Sequence, residues 1–302
     1  MIMARSLTVP GAAASVFVDI GFDDLGGEYR MAADTFTTSD GIRLAYYVDD
    51  FTDPWRQADT LLLLHAAVGH ARRFYAWVPP LCRHYRVVRL DLRGHGASQV
   101  PSESSTLDMA RLVADVEELL AHLGVKACHI VGNSAGGYIA QNLAMKSPDK
   151  VKSLILFGST AGLRNSQAAS WLPRIAKDGL RGFFRETIAE RLPLDQVPKG
   201  LVDWFVDETG NNDPAWIARF VGYMSQQEWS DRLPAIKCPT LLVLPGGETV
   251  GSIRNYDVMI ERIPDVQAIT YEGLPHNICD AVPDRCAADV LAFLRWRFGL
   301  PA

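Results

Sequence analysis

The chain has 302 residues, is 48% hydrophobic and 22% charged, and carries a formal net charge of −5. That length can bury the core of one large domain, and the composition is that of a globular chain rather than a disordered one. A mild acidic balance without a basic cluster excludes nucleic acid and anionic membrane surfaces as main partners; a small molecule is the expected partner, and assembly into a homo-oligomer is left open.

Residues 1–34 read as an irregular N-terminal extension, because Pro10-Gly11 and Gly26-Gly27 break any periodic pattern. Its apolar stretch is interrupted by Pro10, Gly11 and Asp19, which makes a poor secretory signal. No run approaches the roughly 18 apolar residues of a membrane span. The five cysteines, Cys82, Cys128, Cys238, Cys279 and Cys286, are odd in number and lack metal-ligand spacing. They point to free thiols in a reducing, cytoplasmic compartment.

Thr35 to Asp49 reads as a hairpin about the Asp40-Gly41 turn. Leu61–Leu64 is an apolar strand, Arg72–Leu81 a helix, Arg86–Leu90 a strand and Leu107–Leu123 a helix with apolar residues at helical spacing. Ala127–Val131 is the next strand, Tyr138–Lys146 a helix and Val151–Phe157 a strand. Between Thr160 and Leu233 the strands stop, and helical segments at Ile175–Leu192, Leu201–Glu208 and Ala215–Gln227 carry many aromatics, Trp171, Trp204 and Phe220 among them. Strands resume at Thr240–Leu244 and Ala268–Tyr271, and a last helix covers Ala281 to Phe298. Short buried strands alternating with helices imply a mostly parallel α/β sheet covered on both faces. Residues 35–160 and 234–302 would form that core, and residues 161–233 an inserted helical cap over the strand ends.

The chemistry centres on Gly132-Asn133-Ser134-Ala135-Gly136, set between a strand and a helix. A serine at so tight a turn needs small neighbours, and it projects from the carboxyl edge of the sheet toward a helix N-terminus. Ser134 is therefore the expected nucleophile. A serine hydroxyl needs a base and an orienting acid. His276 lies between the last strand and the last helix, where the base belongs, while His65 and His95 fit structural roles beside the site. Glu248 is the acid present in the loop after Thr240–Leu244. Phe157-Gly158-Ser159-Thr160, the other loop that can hold the acid, has no carboxylate, which favours Glu248 over Asp257 or Asp231. Oxyanion donors are expected at the amides of Ala135 and Ala67, with Ala66 the alternative to Ala67.

These residues resemble the α/β-hydrolase superfamily from about Thr35 to the C-terminus. The resemblance rests on the His65 loop, Asp91-x-Arg93-Gly94-His95-Gly96-x-Ser98, the nucleophile turn, Pro239-Thr240 with Glu248, and His276. It implies an α/β-hydrolase fold, a mostly parallel sheet flanked by helices with an inserted helical cap. Ser147-Pro148-Asp149-Lys150-Val151 and the segment after Ser159-Thr160-Ala161 are most similar to the branch of enol-lactone hydrolases and meta-cleavage-product hydrolases of aromatic catabolism. The chain departs from the family pattern in three places: His65-Ala66 where His-Gly is usual, Glu248 where Asp is commoner, and the extension before Thr35.

The expected function is a serine-dependent hydrolase acting on a small ester, lactone or vinylogous diketone through Ser134, His276 and Glu248. Arg164 and Arg174, near the cap entrance, and the cap aromatic Trp204 are candidates for substrate binding. No metal or organic cofactor is implied, since no phosphate loop stands in a dinucleotide context and the histidines lack ligand spacing. Two other classes share these residues. One is a cofactor-independent oxygenase or lyase using the His–acid pair as base; the other is a ligand receptor with slow hydrolysis. Labelling of Ser134 by a fluorophosphonate separates the hydrolase from the oxygenase or lyase.

Overall fold

The computed structural model describes residues 33–164, 166–251 and 254–299. Apart from its last two residues, the expected N-terminal extension lies outside the described residues.

The chain runs β1 (Asp34–Thr37), β2 (Arg43–Asp49), β3 (Thr60–Leu64), α1 (Val78–Cys82), β4 (Arg86–Leu90), α2 (Met109–His122), β5 (Cys128–Asn133), α3 (Ala135–Lys146) and β6 (Val151–Phe157). Three helices follow, α4 (Ala168–Glu186), α5 (Lys199–Gly210) and α6 (Pro214–Met224). The chain then returns to β7 (Thr240–Pro245), α7 (Arg254–Arg262), β8 (Val266–Tyr271), α8 (Ile278–Ala281) and α9 (Pro283–Phe298). The eight strands form one sheet in the order β1-β2-β4-β3-β5-β6-β7-β8. β1–β2 and β2–β4 pair antiparallel, and every other neighbouring pair is parallel.

The strand interiors show why the sheet is buried on both sides. Successive side chains of a strand point to opposite faces. Leu62 and Leu64 of β3 join one apolar cluster with α2 and α3, while Leu61 and Leu63 join another with α1 and α9. All four are fully buried, so β3 reads as a continuous apolar run. Leu154 and Leu156 against Ile155 and Phe157 repeat the division in β6.

This strand order positions the site. From β3 the chain crosses to β4 on one side, and the next strand, β5, pairs on the other. The loops leaving the carboxyl ends of β3 and β5 therefore diverge and open a crevice, the place where open α/β sheets bind ligands.

Several helical boundaries differ from the sequence expectation, three of them informatively. The helix expected over Arg72–Leu81 is a 3-10 turn, Ala71–Phe74, followed by α1. Pro79 and Pro80 lack amide donors, so they suit the first turn of a helix and cannot continue an earlier one. The helix expected over Ile175–Leu192 begins at Ala168, breaks at Gly179 (φ 67°, ψ 173°) and ends at Glu186, with a 3-10 turn over Ile188–Glu190. Helix α7 has no sequence counterpart: it has only 9 residues and buries only Tyr256 and Met259, so its apolar stripe is too short to stand out. The five cysteines are free and buried, and among the described residues no helix is long and apolar enough to cross a membrane.

Candidate active site

Ser134 sits at the junction of β5 and α3 with φ 50° and ψ −116°, the one non-glycine residue at positive φ among the described residues. Its amide donates to Phe157 O (2.9 Å), and its carbonyl accepts from Gly137 N (2.9 Å) and Ser159 Oγ (2.8 Å). The neighbours must be glycine for steric reasons: a Cβ on Gly136 would overlap the Leu64 carbonyl, and one on Gly132 would overlap the Gly137 backbone. Such a backbone stores about 1–3 kcal/mol of strain in the folded protein. Ser134→Gly relieves it and Ser134→Ala does not. The glycine variant is therefore expected to melt above the alanine variant, by an amount equivalent to about 1 kcal/mol in paired thermal unfolding. Equal melting temperatures would show that the turn is not strained.

The three residues expected to act together are joined by hydrogen bonds. His276 Nε2 lies 3.2 Å from Ser134 Oγ, and His276 Nδ1 lies 2.7 Å from Glu248 Oε2. Since a carboxylate only accepts, the Nδ1 proton belongs to the imidazole, which leaves Nε2 free to accept from the serine hydroxyl. Glu248 Oε1 accepts from the amides of Val250 (2.8 Å) and Gly251 (3.0 Å), and Oε2 from the more distant Tyr256 hydroxyl (3.4 Å). Burial raises the Glu248 carboxyl, but the His276 charge and hydrogen bond, with the two amides, outweigh it and hold the group down at about 2. The alternatives lie at the surface: Asp257 is exposed on α7, and Asp231 pairs with Arg262 at 2.5 Å.

A cavity of about 60 Å³ opens on Ser134 and His276, and both Ala67 and Ala135 line it. Ala135 opens α3, so its amide is one of the free donors of that helix N-terminus. The two histidines given structural roles hold the loop after β3. His65 Nε2 accepts from Leu92 N (2.9 Å), which places its proton on Nδ1 for donation to Ala66 O (2.8 Å). Burial depresses the basicity of both His65 and His95.

The substrate-binding expectations need correction. Arg164 is exposed and donates to Gln226 O, away from Ser134. Arg174 is paired with Glu186 at 3.0 Å and is 40% exposed. Trp204 packs on Tyr75 with ring centroids 5.4 Å apart. None of the three lines the cavity, whose cations are Arg73 and Arg191. Arg73 is neutralised by Asp280 through Nε–Oδ1 (2.9 Å) and Nη2–Oδ2 (2.5 Å) contacts. Arg191 has no such partner among the described residues: its Nε is buried without an acceptor, and its guanidinium lies 4.8 Å from the Phe184 ring centroid. Burial lowers it to about 10. No sequence pattern separates Arg191 from the solvated arginines of the same segment, because its burial is made by α4 aromatics and by the Asn277 amide, which donates to Arg191 O (3.0 Å).

Comparison with known proteins agrees with this architecture. A family profile described as alpha/beta hydrolase fold matches residues 59–200, from β3 through the nucleophile turn into the helical insertion. A solved hydrolase from Pseudomonas aeruginosa PA01 is 28% identical with a TM-score of 0.78, covering 87% of this chain and 98% of that one. The chain has the α/β-hydrolase fold. It is 26% identical to a pimeloyl-[acyl-carrier protein] methyl ester esterase of Aeromonas hydrophila, over 73% of this chain and 89% of that protein. The enol-lactonase of Burkholderia xenovorans LB400 shares the fold at a TM-score of 0.78 and 20% identity, covering 86% of this chain and 99% of that one. Other curated relatives match locally, and the chain spans 27% to 47% of their length.

Proposed function

We propose that the protein is a serine-dependent hydrolase of a small ester or lactone that carries a carboxylate. The carrying observation is the Ser134–His276–Glu248 chain of hydrogen bonds opening on a largely apolar cavity. Ser134 attacks the carbonyl as His276 takes its proton, and the imidazolium that forms is stabilised by Glu248. The amides of Ala135 and Ala67 receive the negative charge of the tetrahedral intermediate. His276 then returns the proton to the leaving oxygen, and water, activated by the same imidazole, releases the acid.

The substrate charge is read from Arg191. A buried guanidinium without a counter-ion is costly unless a ligand supplies one. The apolar remainder of the cavity, with Phe184, Phe205, Val221 and Met224, suits a short hydrocarbon body. Hydrolysis of p-nitrophenyl esters, enol lactones and ring-cleavage diketones, run beside Ser134→Ala, tests the reading. Turnover that survives in Ser134→Ala, with no fluorophosphonate labelling of the native enzyme, would instead favour base-only oxygenase or lyase chemistry.

Arg191→Met gives a sharper test of substrate class. It is expected to raise KM for a hemisuccinate ester about tenfold or more, the worth of a charge-assisted hydrogen bond, and to change that of the neutral butyrate less than twofold. The same variant removes a buried unpaired charge, so its Tm is expected to rise by about 2–4 °C. A loss shared equally by charged and neutral esters would defeat the carboxylate assignment.

A further inference from the structure

The loop after β3, which carries Ala67, is held from two sides. Ala66 O accepts from His65 Nδ1 (2.8 Å) and Gly69 N (2.9 Å), and Ala67 O from His95 Nε2 (2.5 Å). Those partners belong to the sheet and its loops. Val68 O accepts instead from Asn212 Nδ2 (3.2 Å), in the turn between α5 and α6 of the helical insertion. One turn earlier in α5, Glu208 Oε2 lies 2.7 Å from His70 Nε2, with the two side chains 18% and 8% exposed. The ring nitrogen has no in-line hydrogen bond, so this contact is one of close approach between two largely buried side chains.

The peptide is planar, so the direction of each carbonyl fixes that of the following amide. Holding Ala66 O sets the Ala67 N–H, and holding the next two carbonyls keeps that peptide from rolling. Asn212 bears a cost in this arrangement. Its second Nδ2 hydrogen bond goes to Thr209 O (3.0 Å), but its buried Oδ1 finds no donor. A half-satisfied buried amide is poor design for stability alone, so the donor end must carry the advantage.

We propose that Asn212 and Glu208 are positioning residues for the oxyanion site. By holding Val68 and His70, the helical insertion sets the Ala67 amide, and the site is complete only when the insertion is seated on the loop. This rests on the hydrolase reading of Ser134.

The test uses the full chain, p-nitrophenyl butyrate and a fluorophosphonate. Asn212→Asp keeps the size but places an oxygen against Val68 O, and Asn212→Ala removes the donor without repulsion. Either is expected to lower kcat about tenfold or more, the scale of a small misplacement of catalytic groups. KM should stay within twofold, and the labelling rate of Ser134 should fall in proportion to kcat. Glu208→Gln should show a smaller loss of the same kind. Lys199→Ala, at the exposed end of α5, should match the native enzyme. A native protein inert to both ester and label removes the hydrolase reading and this inference with it. An active native protein whose Asn212 variants keep their kcat, or change only KM or Tm, overturns the inference alone.

Discussion

Ser134→Ala is expected to lower kcat for an ester substrate by about 10⁴-fold or more, with KM nearly unchanged and fluorophosphonate labelling abolished. The magnitude follows from the hydrogen-bond chain. His276 Nε2 faces Ser134 Oγ at 3.2 Å, and without that hydroxyl no acyl-enzyme can form, so the alanine enzyme retains chiefly the amide donors and the cavity. His276→Ala should fall to a comparable level, because serine and histidine act as one unit and their losses do not add. The double variant Ser134→Ala/His276→Ala is then expected to be no slower than either single one. Steady-state kinetics on all three, with intact-mass analysis of the labelled native enzyme, checks this. If the two losses multiplied, the residues would be acting independently and the relay would be the wrong description.

The placement of Ser134 and His276 was legible in the sequence because each depends on local grammar. A strand of small and apolar residues, two glycines flanking a serine and a helix start lie within about a dozen positions, and the turn they make is forced by contacts such as Gly136 against Leu64. Strands β3, β5, β6 and β7 were equally legible, since runs such as Leu61–Leu64 are apolar at every position. The cavity cations were not. Arg164, Arg174 and Arg191 lie in one stretch of similar composition, and what separates them is tertiary: Arg174 finds Glu186, while Arg191 is enclosed by Trp171, Phe183 and Phe184 and by a backbone contact to Asn277. Asn212 escaped notice for the same reason, since its partner Val68 lies 144 residues away. Periodicity reports which face of an element is apolar; it does not report which charge on that face loses its water.

Glu248→Gln is expected to lower kcat by about 10³- to 10⁴-fold while leaving the fold intact. The position makes two incompatible demands on an amide. If the substituted side chain turned its nitrogen toward His276 Nδ1, the ring would have to accept there and carry its proton on Nε2, where it could no longer take the proton of Ser134. If it turned its oxygen toward His276 instead, the nitrogen would face the amides of Val250 and Gly251, which donate to Glu248 Oε1 at 2.8 and 3.0 Å. The first orientation holds the wrong tautomer, and the second sets donor against donor. Glu248→Asp keeps the charge but falls one methylene short of spanning both sets of partners, so its loss should be smaller, about 10- to 100-fold. Acid titration gives an independent reading. The folded protein holds Glu248 at about 2, below its ordinary 4.5, so the stability linked to its ionisation is present above pH 4.5 and is lost as pH falls toward 2. Glu248→Gln lacks that contribution and should show a shallower loss of Tm across this interval than the native enzyme. A Glu248→Gln enzyme within tenfold of native kcat, with an unchanged acid limb of the stability curve, would return the orienting role to another carboxylate while leaving Ser134 and His276 in place.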